Sequence, residues 1–521
     1  MPQLTVDNQA VEVVPGATLL DAAGKLGIAI PTMCYLPGRP PTASCMVCVV
    51  KVEGRQRLYP ACATPVEDGM RVSTDTEEVR NARRAALELL LGDHLGDCIG
   101  PCHSVCPAQM HIPRMIRQIA AGRLDEAIAT VKAQIAFPAV LGRICHRPCE
   151  KGCRRAQHDA AVAICLLKRH VADADLARPQ PYLPPKGAAT GKKVAIVGAG
   201  PAGLSAAYYL LQLGHACTVF DDQDAPGGML RYGVGREALP LDVLDAEIAA
   251  VRRLGAEIRT GLRVGRDVAM ADLQREFDAV LVAVGEPGEG QATRLGLAEK
   301  GGRIAADIRT FEAAPGVFAA GGAIRSGRHA VRAVADGRFV AEPIDQFLRG
   351  CPVTGPHRPF TVHIGRLMDG EIQAFLGEGS PGGRVEPAGG ESAGFLEAEA
   401  RSEAQRCLHC DCRKPDNCKL RNYAELYQAR SAHYKFGRRL FQQDATHRQV
   451  VYEPGKCISC GICIRLAAEA GEKTGLTFLG RGFDVRVGVP FGGSLAEALG
   501  SSAADCVAAC PTGALAFKDE T

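Results

Sequence analysis

A net excess of charge of either sign is nearly absent from this sequence. Its 61 Lys and Arg stand against 58 Asp and Glu, a formal net charge of +3 over 521 residues. That balance leaves no broad basic or acidic field for nucleic acid or a charged membrane surface. Long apolar runs are missing as well. None reaches the roughly 18 residues that a transmembrane helix needs, and the opening MPQLTVDNQ lacks the pattern of a signal peptide. A cytoplasmic chain is therefore expected. No internal repeat of solenoid type is visible, and no catalytic triad or molybdenum- or nickel-binding motif can be recognised. Cysteine, by contrast, is plentiful, with 22 copies. In a reducing compartment these thiols read as metal ligands rather than disulfides. The length implies three or more domains, because single cores stop growing at roughly 250 to 300 residues.

The stretch KKVAIVGAGPAGLSAAYYLLQLGHACTVFDD, residues 192–222, reads as strand, glycine turn, helix and strand. Gly198, Gly200 and Gly203 stand in GxGxxG register, with Pro201 and Ala202 between the last two. Asp221 follows Gly198 by 23 residues. Glycines there allow backbone N–H groups to approach a pyrophosphate at a helix N-terminus, while the acid takes the ribose hydroxyls. A dinucleotide site is predicted.

Cys34, Cys45, Cys48 and Cys62 are separated by ten, two and thirteen residues, and four thiolates on loops suit a two-iron cluster. The stretch MCYLPGRPPTASCMVCVVKVEG resembles the N-terminal 2Fe-2S domain of the large iron–sulfur subunit of NADH dehydrogenase and of iron-only hydrogenases. Next comes a predicted helix over residues 77–91, with Val79, Ala82, Ala86 and Leu90 as its apolar face. It leads to His94 and Cys98, whose HxxxC spacing is similar to that of a histidine-ligated 4Fe-4S site in the same subunit.

From Cys98 to about Asp173, CxxxCxxxCP and GRICHRPCEKGC resemble the two-cluster domain of the glutamate synthase small subunit and dihydropyrimidine dehydrogenase. The resemblance implies Cys98, Cys102 and Cys153 at one cluster, where His94 could complete the set. It implies Cys106, Cys145 and Cys149 at the other. That second cluster has a Gln or Glu fourth ligand in the family. Here the position is Lys168, whose ammonium has no lone pair to give. Cys165, one helical turn earlier, could substitute, or be a buried apolar cysteine.

After Asp222, APGGMLRYGVGREALPLDVLDAEI, then FDAVLVAVG (277–285) and GVFAAGGAIRSGRHAVRAVADGRFVAEPIDQFL (316–348) resemble the FAD-binding half of the glutamate synthase small subunit. The resemblance implies FAD, bound through the glycine turn together with Gly227, Gly228, Met229, Leu230, Gly285, Gly321 and Gly322. The family carries a second, NADPH-binding Rossmann domain between the AVG and GVFAAG strands. Only residues 286–302 fill that gap here, and 17 residues cannot form a βαβ unit, which takes roughly 30. Gly322 also replaces a family Asp that would bind the ribityl chain.

Cys407, Cys410, Cys412 and Cys418 fall within twelve residues and read as a single centre, a 4Fe-4S cluster or a four-thiolate zinc site. Their opening EAxRCLxC resembles the first cluster motif of the glutamate synthase family. The last module, KCISCGICIR with DCVAACPTGAL, resembles a bacterial-type ferredoxin. Cys457, Cys460, Cys463 and Cys510 are implied to hold one 4Fe-4S cluster, with Ala467 where a second would need cysteine and Cys506 left over.

The predicted fold is multidomain α/β and α+β. It comprises a β-grasp 2Fe-2S ferredoxin domain (1–75), a helical double 4Fe-4S domain (76–178) and a Rossmann-type FAD domain without a second nucleotide domain (190–350). A linker region (351–396), a four-cysteine segment (397–450) and a ferredoxin-like domain (451–521) follow. One 2Fe-2S cluster and up to four 4Fe-4S clusters around a flavin describe a flavin and iron–sulfur electron-transfer subunit of a multi-subunit oxidoreductase. The expected partners are an NADH-oxidising flavoprotein, a terminal dehydrogenase, hydrogenase or reductase, and ferredoxin; flavin-based bifurcation is a further reading. Two alternatives stand: a self-contained NAD(P)H:ferredoxin oxidoreductase or glutamate synthase-like enzyme, and a structural assembly subunit with an empty flavin fold.

Overall fold

The structure, a computed structural model, describes residues 1–518 apart from Arg328, Glu378 and Phe436, and leaves the Phe483 side chain undescribed. The chain folds as two units. One comprises Met1–Ile99, Pro359–Glu378 and His409–Thr521; the other comprises Gly100–Arg358 and Gly379–Leu408.

The first unit begins with strands β1 (Gln3–Val6) and β2 (Gln9–Glu12), helix α1 (Leu19–Lys25), and strands β3 (Val49–Val52), β4 (Leu58–Pro60) and β5 (Arg71–Ser73). They form one sheet in the order β2-β1-β5-β3-β4, in which β1 and β5 run parallel and the other pairs antiparallel. This is the β-grasp arrangement expected of the N-terminal 2Fe-2S domain. Thr18 caps α1: its hydroxyl accepts from the Asp21 N–H at 3.2 Å, and the Asp21 carboxylate accepts from the Thr18 N–H at 2.8 Å.

Helix α2 spans Glu77–Gly92 and is turned from its predicted face: Val79, Arg83, Leu87, Glu88 and Leu91 are buried, while Ala82, Ala86 and Leu90 are only partly so. Two of the buried residues are charged, which apolar periodicity cannot register. Arg83 donates to the Tyr427 hydroxyl at 2.8 Å and to the Val49 carbonyl at 2.9 Å, and Glu88 accepts from the Arg430 N–H at 2.9 Å. Satisfied in this way, both can be buried without an orphaned charge.

The second unit opens with helices α3 (Pro101–Ser104), α4 (Ile112–Ala120), α5 (Leu124–Lys132), α6 (Pro138–Ile144), α7 (Pro148–Lys151) and α8 (Ile164–Leu176). A doubly wound sheet follows, with β6 (Lys193–Val197), helix α9 (Pro201–Gln212), β7 (Ala216–Phe220), β8 (Glu257–Arg259) and β9 (Ala279–Val282). After β9 come only a short helix (Gln291–Arg294), the hairpin β10 (Glu299–Lys300) and β11 (Arg303–Ile304), and the edge strand β12 (Glu312–Ala314), before β13 (Val317–Ala319). The sheet order is β12-β13-β9-β6-β7-β8, parallel except at β12. Among the described residues no second doubly wound sheet lies between β9 and β13.

The stretch read as a linker is structured. Glu371, in the short helix Glu371–Leu376 of the first unit, is buried and accepts from Arg438, from the Phe441 N–H at 2.6 Å and from the Met368 N–H at 2.7 Å. In the second unit, Arg384 donates to the Ala161 carbonyl at 2.9 Å. The first unit closes with β14 (Val450–Tyr452) paired antiparallel to β17 (Leu515–Phe517), around the hairpin β15 (Thr477–Leu479) and β16 (Arg486–Gly488). Among the described residues no helix is long and apolar enough to cross a membrane.

Candidate metal centres and nucleotide site

The loop between α1 and β3 presents Cys34, Cys45 and Cys48, with Ala43 and Met46 turning it through left-handed φ values of 51° and 54°. Cys62 joins them after β4, its sulfur 3.4 Å from that of Cys48. All four are buried. The neighbouring Cys45 thiol lowers Cys34 to about 5, and the neighbouring Cys62 thiol lowers Cys48 to about 7. The structure thus gathers the four thiols predicted for a 2Fe-2S cluster, with two of them biased towards thiolate.

The next site in this unit is assembled from distant parts of the chain. A cavity is lined by His94, Asp97, Cys98, Cys412, Lys414, Cys418, Arg421, Lys456 and Gly513. The His94–Cys98 turn is held by backbone bonds from Leu95 N–H to the Gly455 carbonyl at 2.7 Å and from Cys98 N–H to the Val362 carbonyl at 3.1 Å. Gly513 lets Cys412 approach, since a Cβ there would lie 2.3 Å from its sulfur. The Nδ1 of His94 is buried without a hydrogen-bond partner, and burial, aided by the Lys456 ammonium, lowers its pKa to about 4. A neutral imidazole with a free lone pair facing three thiols fits a cluster ligand set.

Cys457, Cys460, Cys463 and Cys510 line a second cavity, as predicted for the ferredoxin-like module. Burial pushes Cys460 up to about 12, with the thiols of Cys510, Cys457 and Cys34 adding to the shift. Cys506 packs with Ala467 in an apolar cluster and points its thiol at the Cys463 carbonyl, 3.6 Å away. Lys419 N–H donates to the Pro511 carbonyl at 2.9 Å, so the chain after Cys418 is bonded to the chain after Cys510. Cys34, Cys45, Cys418 and Cys460 are buried in one apolar cluster, against which Cys98 packs. Three cysteine sites of this unit therefore share a core.

In the second unit, Cys102 lies on α3 and Cys149 on α7, with Gly152 allowing close approach because a Cβ there would lie 2.7 Å from Val105 Cγ2. Cys106 and Cys149 are buried and Cys145 is half-buried. Burial raises the Cys153 thiol, while nearby Arg406 works the other way. Arg406 stands immediately before Cys407 and is wholly buried. Its guanidinium donates to Glu403 at 2.8 Å, Asp159 at 3.0 Å, the Ala160 carbonyl at 2.9 Å and the Gly382 carbonyl at 2.9 Å.

Cys98 and Cys102 fall in different units of the chain, as do Cys407 and Cys410. Cys412 and Cys418 line one cavity with His94 and Cys98, and Cys407 and Cys410 are not among its lining residues. Among the described residues no three His, Cys, Asp or Glu side chains converge on the position of a single ion. Sequence reasoning also missed Lys414 and Lys456, buried cations beside these thiols. An ordinary lysine carries no local signal of burial.

At the end of β6, Gly198 turns with φ of 110°, and a Cβ on Gly203 would lie 1.9 Å from the Gly198 carbonyl oxygen. A Cβ on Gly228 would lie 2.8 Å from Gly200 Cα, and Gly227 N–H donates to the Ala199 carbonyl at 2.8 Å, drawing the APGGML loop onto the turn. Asp221 is buried; its carboxylate accepts from Ala199 N–H at 2.5 Å and Gln223 N–H at 2.9 Å, so it braces the turn as well as facing it. This half fits a dinucleotide's adenosine and pyrophosphate. At Gly322 a Cβ would lie 2.9 Å from the Gly285 carbonyl carbon, so a side chain there would press on the Gly285–Glu286 backbone. Gly203→Ala is expected to cost about 1–3 kcal/mol by overpacking and to abolish co-purification of nucleotide, read by thermal unfolding and by extracting the bound nucleotide.

These folds define a multidomain iron–sulfur protein with a Rossmann-like nucleotide domain. Residues 2–77 match the 2Fe-2S iron-sulfur cluster binding domain family, 93–179 the dihydropyrimidine dehydrogenase domain II, 4Fe-4S cluster family, and 196–243 the NAD(P)-binding Rossmann-like domain family. Over 206 residues the chain is 43% identical to the NADP(+)-dependent formate dehydrogenase subunit beta of Moorella thermoacetica, covering 36% of this chain and 29% of that one. Over 188 residues it is 38% identical to the NADPH-Fe(3+) oxidoreductase subunit beta of Geobacter sulfurreducens, covering 36% and 28%. Over 253 residues it is 33% identical to the glutamate synthase (NADPH) small chain of Bacillus subtilis, covering 48% and 51%. The chain thus spans under a third of the first two relatives and about half of the third.

Proposed function

We propose that this chain is the flavin and iron–sulfur electron-transfer subunit of a cytoplasmic multi-subunit oxidoreductase, with terminal chemistry on partner subunits. The partners are an NADH-oxidising flavoprotein and a terminal dehydrogenase, hydrogenase or reductase, with ferredoxin as a further exchange partner. The observation that carries this reading is the common apolar core of three cysteine sites in the first unit, which brings Cys34 towards Cys460 and Cys418 towards Cys98 and Cys510. When bound, clusters at such sites pass single electrons, and a flavin exchanges them singly or in pairs. Cys34, Cys45, Cys48 and Cys62 would hold the 2Fe-2S cluster. His94, Cys98, Cys412 and Cys418 would hold one 4Fe-4S cluster, and Cys457, Cys460, Cys463 and Cys510 another. In the second unit, Cys102, Cys153 and Cys407 are assigned to one 4Fe-4S cluster and Cys106, Cys145 and Cys149 to the next. The glycine turn at Gly198–Gly203 with Asp221 would hold the adenosine half of FAD. The missing second nucleotide domain favours a relay over a self-contained NAD(P)H enzyme.

Anaerobic reduction of the cluster-reconstituted chain tests the reading, followed by visible and EPR spectra with NADH, NADPH and reduced ferredoxin as separate donors. Bleaching by ferredoxin but by neither nicotinamide is expected. Rapid bleaching by NADH or NADPH alone would transfer the hydride chemistry to this chain and overturn the relay.

A further inference from the structure

The second unit contains a buried group that its sequence relatives' ligand pattern does not account for. Helix α8 begins at Ile164, so Cys165 and Lys168 lie three residues apart on one helix face. Both are buried. The helix is brought close by Gly142 at the end of α6, where a Cβ would lie 2.7 Å from the Arg169 Cβ. Across that contact the Cys165 sulfur lies 3.5 Å from the carbonyl oxygens of Leu141 and Gly142, and the Lys168 ammonium donates to the Leu141 carbonyl at 3.1 Å. Three residues further along the chain is Cys145.

The thiols of Cys106, Cys145, Cys149 and Cys165 all lie close enough to Lys168 to interact with its charge. The Cys165 thiol is also within hydrogen-bond reach of Cys145. A fully buried ammonium with one carbonyl partner would be costly to retain unless negative charge stood opposite it. Four thiols that become thiolates on iron supply that charge.

We propose that Cys165 is the fourth ligand of the cluster held by Cys106, Cys145 and Cys149, and that Lys168 is its buried counter-charge. This rests on the reading of the unit's cysteines as cluster ligands. The arrangement explains both departures at once. Exchanging a neutral amide ligand for a thiolate adds one negative charge to the site, and the ammonium of Lys168 returns it. On ligation the Cys165 sulfur gives up its proton to solvent and bonds iron as thiolate, while Lys168 keeps its proton and stays outside the metal shell, since it has no lone pair to give. Because a positive charge favours the more negative, reduced state, Lys168 raises the potential of this one site.

The full-length chain, reconstituted anaerobically with iron and sulfide, provides the test by iron content, EPR and redox titration. Cys165→Ala is expected to lose about four irons per chain and one reduced-state EPR signal. Adding Lys168→Gln to that variant supplies an amide oxygen in place of the thiolate, and is expected to restore the iron with altered g-values. Lys168→Met alone should keep the iron and lower the reduced-to-oxidised ratio of one signal about tenfold at fixed potential, about 59 mV for one electron. Full iron and an unchanged EPR spectrum in Cys165→Ala would overturn the proposal and leave Cys165 as packing. If Cys165→Ala is insoluble, Lys168→Met decides: a lowered potential of one signal supports the proposal and an unshifted set overturns it. Failure of the wild-type chain to take up iron is a different result and would sink the electron-transfer reading itself.

Discussion

Replacing Cys412 by alanine is expected to remove about four iron atoms per chain and the EPR signal of one 4Fe-4S cluster, leaving the remaining signals in place. The cause is local. Cys412 shares its cavity with His94, Cys98 and Cys418, and among the described residues no other thiol lines that space. Cys418→Ala should remove the same signal. Cys407→Ala should remove a different one, because Cys407 belongs to the second unit. His94→Ala should alter the g-values and midpoint potential of the signal that Cys412 controls and no other. Anaerobic EPR with iron analysis on these variants is decisive: if Cys407→Ala and Cys412→Ala abolished one and the same signal, the four cysteines from 407 to 418 would be a single centre after all, and the histidine site would be lost with it.

Arg406→Ala is expected to destabilise the second unit by about 3–5 kcal/mol, the usual result of removing one partner of a buried, hydrogen-bonded pair. Arg406 and Glu403 are almost fully buried, with side-chain exposures of 1% and 0%. Glu403 also accepts from Ala163 N–H and Val385 N–H, each at 2.8 Å. Loss of the guanidinium leaves Glu403 charged and underpaired, and frees the segment that presents Cys407. The measurement is denaturant unfolding under anaerobic conditions, read by far-UV circular dichroism alongside iron content. A shift below about 1 kcal/mol would mean that the surrounding backbone bonds hold the segment without the ion pair.

Features carried by short spans were legible in the sequence. The glycine turn from Gly198 to Gly203, the buried valines of β6 and the closing Asp221 specify a Rossmann-like unit because strand, turn and helix each declare themselves within a few residues. The same holds for the β-grasp sheet and for Cys457, Cys460 and Cys463, where spacing alone reports a loop wrapped around a site. The gap after β9 could be judged too short for a second nucleotide domain by length alone. Burial of Arg83 and Glu88 on α2 could not be read in this way, because their partners, Tyr427, Val49 and Arg430, lie on other segments and periodicity counts a charge as exposed.

The sequence by itself determined that this protein is rich in cluster-type cysteine motifs and has a nucleotide fold with a gap before the GVFAAG strand too short for a second one. The tertiary structure decided which cysteines meet. Cys98 and Cys412 are more than three hundred residues apart, and nothing in the spacing of either motif names the other. They are brought together by the backbone bonds at Leu95 and Cys98 and by the absence of a side chain at Gly513. Likewise, the sequence leaves Cys165 open between a ligand and a buried apolar cysteine, and the close approach of α6 and α8 at Gly142 sets it beside the Leu141 and Gly142 carbonyls. Local spacing reports that a ligand is present, because loop geometry is local. The composition of a ligand set depends on contacts between segments, and those exist only once the chain has closed on itself.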